Sequence, residues 1–287
     1  MENKTVFLSV VFPSIERFLD DFFKSLEAQT FKDFDVFIIN DGLKGFEKYK
    51  KRFSGLNIVE IEFTETPAKV REFGIKQALD VGYGAIVFGD ADDYFAKNRV
   101  EVSKALLKDF DIVVNDIELV NERDERIKKG YLSRRIKDKE VLGIQDIRDR
   151  NFMGLSNTAV RSRLLESLAI NEDLIAVDWF IFSVLLKKGS KAVFTSETET
   201  YYRQHGGNTI GLDSMDERKL KTAIKAKLLH FREMAKNYFE YKRPYEQMKA
   251  LEKKISNKFF LKEYMETICL LKIENPFWWE EIRYIEV

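Results

Sequence analysis

The chain carries a single cysteine, Cys269, among 287 residues, which excludes an internal disulfide framework and any cysteine-rich zinc site. A reducing, cytoplasmic setting is the simplest reading. Net charge is also missing. The 48 basic residues balance the 48 acidic ones, so a nucleic-acid binder held mainly by bulk electrostatics is not expected. Long hydrophobic runs are absent too. The short apolar stretch near the N-terminus is broken by Pro13, and nothing approaches the roughly 20 apolar residues that span a bilayer. Phosphate-cradling glycine loops are lacking as well. There is no G-x-x-x-x-G-K-[ST], and "GYGAIVFG" precedes its strand with the wrong glycine spacing, so neither a P-loop nor a dinucleotide fingerprint is supported. No internal repeat or low-complexity tract is visible.

What is present is a chain that is 45% hydrophobic, enough for a sizeable core in one large domain with an extension or in two domains. "TVFLSVVF" (5–12), "DFDVFII" (33–39), "NIVEIEF" (57–63) and "AIVFG" (85–89) read as strands, with a fifth at 111–120. The segments between them show helical spacing, as in the stripe of Phe18, Leu19, Phe22, Phe23 and Leu26. Strands alternating with helices imply an α/β fold with a mostly parallel sheet. The charged stretch 121–140 reads as an exposed loop or hairpin. Farther on, "TAVRSRLLESL" and "DWFIFSVLLKKG" read as helices, and "KAVFTSETETYYRQH" as a strand that ends in a Gly-Gly-Asn turn. Beyond residue 213 a helical appendage is expected, with Leu220, Ile224, Leu228, Leu229 and Phe231 on one side. His230, on that charged stretch, is given no role.

The acidic cluster in "AIVFGDADDYF" (85–95) carries the chemistry. Asp90, Asp92 and Asp93 follow a buried-type strand, at the strand end where open α/β sheets place their ligands. Two carboxylates at this spacing suit one hard divalent cation, Mn²⁺ or Mg²⁺, that also holds phosphate oxygens. The plain alternative is a solvated aspartate turn.

Five landmarks in order resemble the inverting family 2 glycosyltransferases of GT-A fold. "FLSVVFPSIERFLDDFFKSLEAQTFKDFDVFIINDG" is similar to the family's opening, with Ser25, Leu26, Gln29, Thr30, Phe31 and Phe34 matching in sequence. "PAKVREFGI", "FGDADDYF", "VDWFIFSVLLKKG" and "YYRQHGGN" resemble the later motifs. The likeness covers roughly residues 5–211 and leaves the helical extension, 212–287, outside it.

The resemblance implies a Rossmann-like sheet flanked by helices and a metal-dependent transfer from a nucleoside diphosphate sugar, a UDP sugar first, to a saccharide or lipid-linked acceptor. It places Pro13, Ser14, Asp41, Arg71, Asp90 and Arg203 at the nucleotide sugar, Asp90, Asp92, Asp93 and His205 at the metal, and Asp178 as catalytic base. Asp93 would act as support or as a second ligand. Read from the residues alone, Asp178 is a helix N-cap. Val177, Asn40, Phe73 and the Ser14–Ile15 pair depart from the family pattern. They leave open which nucleotide and which acceptor are used. A non-catalytic GT-A domain that only binds, and a sugar nucleotidyltransferase, are the rival readings. In "ENPFWWEEIRYI" the aromatics Phe277, Trp278 and Trp279 stand together. They suit either docking on the catalytic domain or on a second subunit of a homodimer, the favoured reading, or a peripheral membrane contact at the inner face.

Overall fold

The structure, a computed structural model, describes residues 4–206, 216–271 and 273–284. The expected boundary at 211/212, and Gly207 and Asn208 of the turn after His205, lie outside the described residues. The chain runs β1 (Thr5–Val11), α1 (Leu19–Glu27), β2 (Phe34–Asn40), α2 (Glu47–Arg52), β3 (Asn57–Glu62), α3 (Pro67–Val81), β4 (Ala85–Phe88), β5 (Tyr94–Phe95) and α4 (Arg99–Leu106). It continues through β6 (Ile112–Asn121), β7 (Arg126–Lys128), β8 (Val141–Leu142), β9 (Thr158–Arg161), α5 (Val177–Lys187) and β10 (Ala192–Gln204) to α6 (Glu217–Asn237), α7 (Lys242–Lys254) and α8 (Lys258–Leu270).

One sheet takes the order β3-β2-β1-β4-β9-β6-β10-β5, with β7 on β6 and β8 on β10. The first four strands are parallel, as expected for strands joined by helical crossovers. Strand pleat sends alternate residues to opposite faces, and both faces are apolar. Val6 and Leu8 of β1, with Phe37 and Ile39 of β2, meet α3 and α5 on one side. Phe7 and Val11, with Val36 and Ile38, meet α1 on the other. Local signals punctuate the helices where the chemistry demands it. Thr66 caps α3 by accepting from the Lys69 N–H at 3.4 Å, Pro67 opens it, and Gly82 ends it at φ +86, a left-handed value that favours glycine.

Two expectations need correction. "TAVRSRLLESL" is not one helix. Thr158–Arg161 forms β9, antiparallel to both β4 and β6, and only Ser162–Leu165 turns helically, as a short 3₁₀ stretch. The β-branched Thr158 and Val160 fit the gap between two apolar strands, and this tertiary demand overrides helical spacing. The charged stretch 121–140 does form a hairpin, β6 to β7, but it is not simply exposed. Tyr131, Leu132 and Ile136 are buried. Asp116 Oδ1 accepts from the Leu132 and Ser133 N–H groups at 2.9 and 3.2 Å, which pins the return of the chain.

The C-terminal helices share the core of the α3 and α5 face. Leu220, Ile224, Leu229 and Phe231 are buried there, with Leu228 at its margin. His230 lies inside too. Its ring stacks on Trp179 at 3.8 Å, and burial, followed by the charge of Lys227, drives its pKa well below the ordinary imidazole range. Phe277 and Trp279 are buried and Trp278 is half-buried, and they dock on the body of the chain through Phe277 on Phe152 and Trp279 on Trp179. Among the described residues no helix is long and apolar enough to cross a membrane.

Candidate active site

A cleft of about 470 Å³ opens beyond the ends of β1 and β4. Its first wall begins with a steric necessity. Between β4 and the acidic turn stands Gly89, where a Cβ would lie 2.3 Å from Phe7 Cζ and 2.6 Å from Phe95 Cζ. Only glycine lets the chain turn there against two packed rings. The turn closes with the Asp93 N–H donating to Asp90 O at 3.2 Å, and β5 then pairs with β10 through Phe95–Thr200 and Tyr94–Tyr201.

This geometry divides the three aspartates. Asp90 and Asp92 line the cleft. Asp93 points inward and is 1% exposed. Its carboxylate accepts from Ser156 Oγ and from the Arg203 N–H. Burial, then Asp92 and Asp90, push its pKa well above the ordinary carboxylate range. Of the two roles allowed for Asp93, support suits its position and direct ligation does not.

Arg203 does not reach the cleft either. It is 1% exposed, donates to Asp92 O at 2.9 Å and pairs with Asp21 and Asp124. It braces the back of the acidic turn and is not in the cleft lining. His205 sits between: its Nε2 is 2.9 Å from Asp92 Oδ2 and its ring packs on Phe18. It orients the Asp92 carboxylate from behind. Ser14 is exposed beside the cleft rather than in its lining, whereas Pro13, Asp41 and Arg71 are in it.

The opposite wall is the start of α5. Asp178 stands in the first turn of that helix, and the N-cap position belongs to Ala176. Its Oδ1 accepts from the Trp179 N–H at 2.7 Å, and its Oδ2 accepts from Asn151 Nδ2 at 3.2 Å. Gly154 comes close beneath it, since a Cβ there would sit 3.7 Å from Oδ2. Burial raises the Asp178 pKa above the ordinary range, opposed by the Trp179 N–H, Arg71 and Asn151. Asp90 is near enough to feel it. The Asp90 carboxyl is pushed up to about 6, chiefly by desolvation, against Arg71 and with Asp92 and Asp178 adding repulsion.

Carboxylates thus crowd the cleft, and Arg71, 3.8 Å from Asp90, is the cation that answers them there among the described residues. Such a site gains from a divalent cation, and its oxygen donors suit Mn²⁺ or Mg²⁺. Among the described residues, however, no group of three or more His, Cys, Asp or Glu side chains is placed to hold a metal. The residues fit a cation bound by one or two carboxylates with its other positions taken by phosphate and water.

Sequence reasoning missed several members of the site. Asn151, Tyr202, Trp278 and Trp279 line the cleft, and Arg99 is buried beneath it, donating to Asn115 Oδ1 and Phe88 O, both at 2.8 Å. Aromatic density at 277–279 was the one signal available.

Residues 9–167 match the family described as glycosyl transferase family 2. The chain belongs to that family. Solved structures carry the same fold. Staphylococcus aureus TarS 1–349 in complex with UDP is 17% identical, with TM-score 0.59, covering 88% of this chain and 71% of that one. The same protein with UDP-GlcNAc is 17% identical, with TM-score 0.60, covering 90% and 75%. The mannosyltransferase PcManGT from Pyrobaculum calidifontis, with GDP-Man and Mn²⁺, is 14% identical, with TM-score 0.56, covering 93% and 74%. No curated protein matches. The chain is therefore a glycosyltransferase of GT-A fold by family and architecture.

Proposed function

We propose that the chain transfers a glycosyl unit from a nucleoside diphosphate sugar, a UDP sugar first, to an acceptor hydroxyl with inversion at the anomeric carbon. One observation carries the reading: Asp90 and Asp92 on one wall and Asp178 on the other share a single cleft, with Arg71 between. Pro13 and Asp41 hold the base and ribose end, and Arg71 faces the diphosphate. The TarS complexes with UDP and UDP-GlcNAc support a uridine nucleotide, and the PcManGT complex supports a divalent cation.

Asp178 takes the proton of the attacking hydroxyl. The acceptor hydroxyl oxygen forms a bond to the anomeric carbon while the bond to the diphosphate oxygen breaks, with the electron pair leaving on the diphosphate. The Trp179 N–H and Asn151 aim the Asp178 carboxylate. Asp92 and Asp90 would hold a divalent cation, which would supply neutralisation of charge on the leaving diphosphate. His205 and Arg203 keep the acidic turn in position from behind, and Arg71 screens the phosphates.

Asp178→Asn is the test. The amide keeps the shape, so affinity for UDP sugar with Mn²⁺ should persist by calorimetry, while transfer falls about a hundred- to ten-thousand-fold. Asp173, which is exposed and paired with Arg232, is the control. Full transfer by Asp178→Asn would remove the base assignment. UDP-sugar binding with no transfer by the wild type to any acceptor would favour a binding domain.

A further inference from the structure

The lining of the cleft is mixed in chemistry. Arg71, Asp90 and Asp92 bring charge to it. Asn151, Tyr202 and Trp278 line it as well, and Asn151 joins that part of the lining to Asp178. There the Trp278 and Tyr202 rings stand edge to face, 5.5 Å apart at 82°, and both residues are half-buried. We propose that Trp278 and Tyr202 form an acceptor subsite that stacks the face of a pyranose ring. The acceptor class is thereby a saccharide whose terminal ring is cyclic. This rests on the reading of Asp178 as the base.

Three observations point the same way. First, Trp278 and Tyr202 both line the cleft and meet edge to face, and a pyranose offers a flat array of C–H groups, with hydroxyls at its rim, that packs on an aromatic ring. Apolar walls with few polar groups are the usual makeup of sites for such ligands. Second, the segment is held in a set position. Trp278 and Asn151 exchange backbone hydrogen bonds at 2.9 and 3.0 Å. Glu280 is gripped by Arg135 and by Arg150, the latter at 2.8 Å. Lys227 donates to Trp279 O and Ile282 O at 2.9 and 2.6 Å.

Third, Trp279 is held at φ +62. A bulky side chain in the left-handed region is an outlier that persists only where its surroundings impose it, commonly at functional sites. Trp279 lines the same cleft and stacks on Trp179 at 5.1 Å. Asn151 links this wall to the chemistry, because its backbone fixes Trp278 while its side chain donates to Asp178. A ring seated on Trp278 is thus registered against the base through one residue.

The test is saturation-transfer NMR on the full chain with UDP and Mn²⁺, using methyl β-D-glucopyranoside, methyl β-D-galactopyranoside and the open-chain polyol ribitol as probes. At least one pyranoside should bind through its ring protons, and ribitol should not. Trp278→Ala should raise the pyranoside dissociation constant about tenfold, whereas Trp278→Phe keeps most of the affinity. Phe239→Ala, an exposed aromatic on the surface, should change nothing. Binding of no pyranoside, equal binding of ribitol, or equal affinity in Trp278→Ala overturns the subsite. Calorimetry of UDP-sugar binding to the wild type is read separately. Failure there sinks the donor reading, and the pyranoside comparison still decides this one.

Discussion

Replacing Glu280 with Gln removes a single charge from the clamp that holds the C-terminal aromatics, and the structure sets the size of the effect. Glu280 is 5% exposed. Its carboxylate accepts from Arg135, from Arg150 at 2.8 Å and from the Phe277 N–H at 3.0 Å. Burial alone would raise its pKa, yet the Arg135 fork, the Phe277 N–H and Arg150 outweigh burial and hold it at about 2. Against an ordinary value near 4.5, that difference corresponds to an upper bound of roughly 3 kcal/mol at neutral pH.

Both arginines are about a quarter to a third exposed and can rehydrate when the charge is lost, so about 2 kcal/mol is the expected loss in Glu280→Gln. A carboxylate with a depressed folded pKa contributes fully above its unfolded value and loses that contribution as pH falls toward its folded value. The gap between wild type and variant should therefore be full at pH 7 and shrink steadily from about pH 5 to pH 3. Urea unfolding followed by tryptophan fluorescence at several pH values measures it. A gap of equal size at pH 7 and pH 3, or none at pH 7, would refute the claim that a buried ion cluster anchors this segment.

Asp92→Ala should weaken metal-dependent UDP binding by roughly tenfold or more, because the cation has few protein ligands to spare; calorimetry with and without Mn²⁺ checks this. Gly89→Ala should cost about 3 kcal/mol, since the new Cβ meets Phe7 and Phe95 inside their contact distance; a thermal melt unchanged from wild type would contradict the packing. Lys227 is buried and its pKa is pushed down to about 7, chiefly by desolvation. The unfolded chain then holds more protons than the folded one above pH 7, so wild type should gain stability relative to Lys227→Met between pH 7 and pH 9. Parallel urea midpoints across that window would count against the burial of an ionisable amine there.

What could be read from the sequence was local. The β4 strand, Gly89 and the aspartates are contiguous, and their meaning depends on little else. The family landmarks are likewise short, and so the parallel half of the sheet and the segments bearing Asp90, Asp92 and Asp178 were legible. The strand β9 was not, because its reason for being extended lies in β4 and β6, which the spacing of its own residues does not encode. Nor was the aromatic wall, whose anchors are Asn151, Arg135, Arg150 and Lys227, all far from Trp278 in the chain.

Side-chain direction within a short motif is harder to read than its position. The family resemblance of "YYRQHGGN" points to Arg203 and His205 as site residues. Along β10, however, neighbouring residues point to opposite sides. Tyr202 faces the cleft, and Arg203 faces the back of the acidic turn, where Asp21 and Asp124 receive it. In the turn before β5 the backbone likewise parts two neighbours, with Asp92 lining the cleft and Asp93 buried. Residue chemistry identifies a site-bearing segment, but local backbone geometry, strand pleat in one case and a turn in the other, decides which of two adjacent side chains faces the cleft. Of such a pair, the inward member is recognisable only by the partners waiting for it across the sheet. For Arg203 those partners are carboxylates from α1 and the β6–β7 hairpin, and for Asp93 they are Ser156 and the Arg203 N–H. Both inward residues thus brace the acidic turn, Arg203 by donating to Asp92 O and Asp93 by accepting from the Arg203 N–H, and a substitution at either should disturb the position of Asp92.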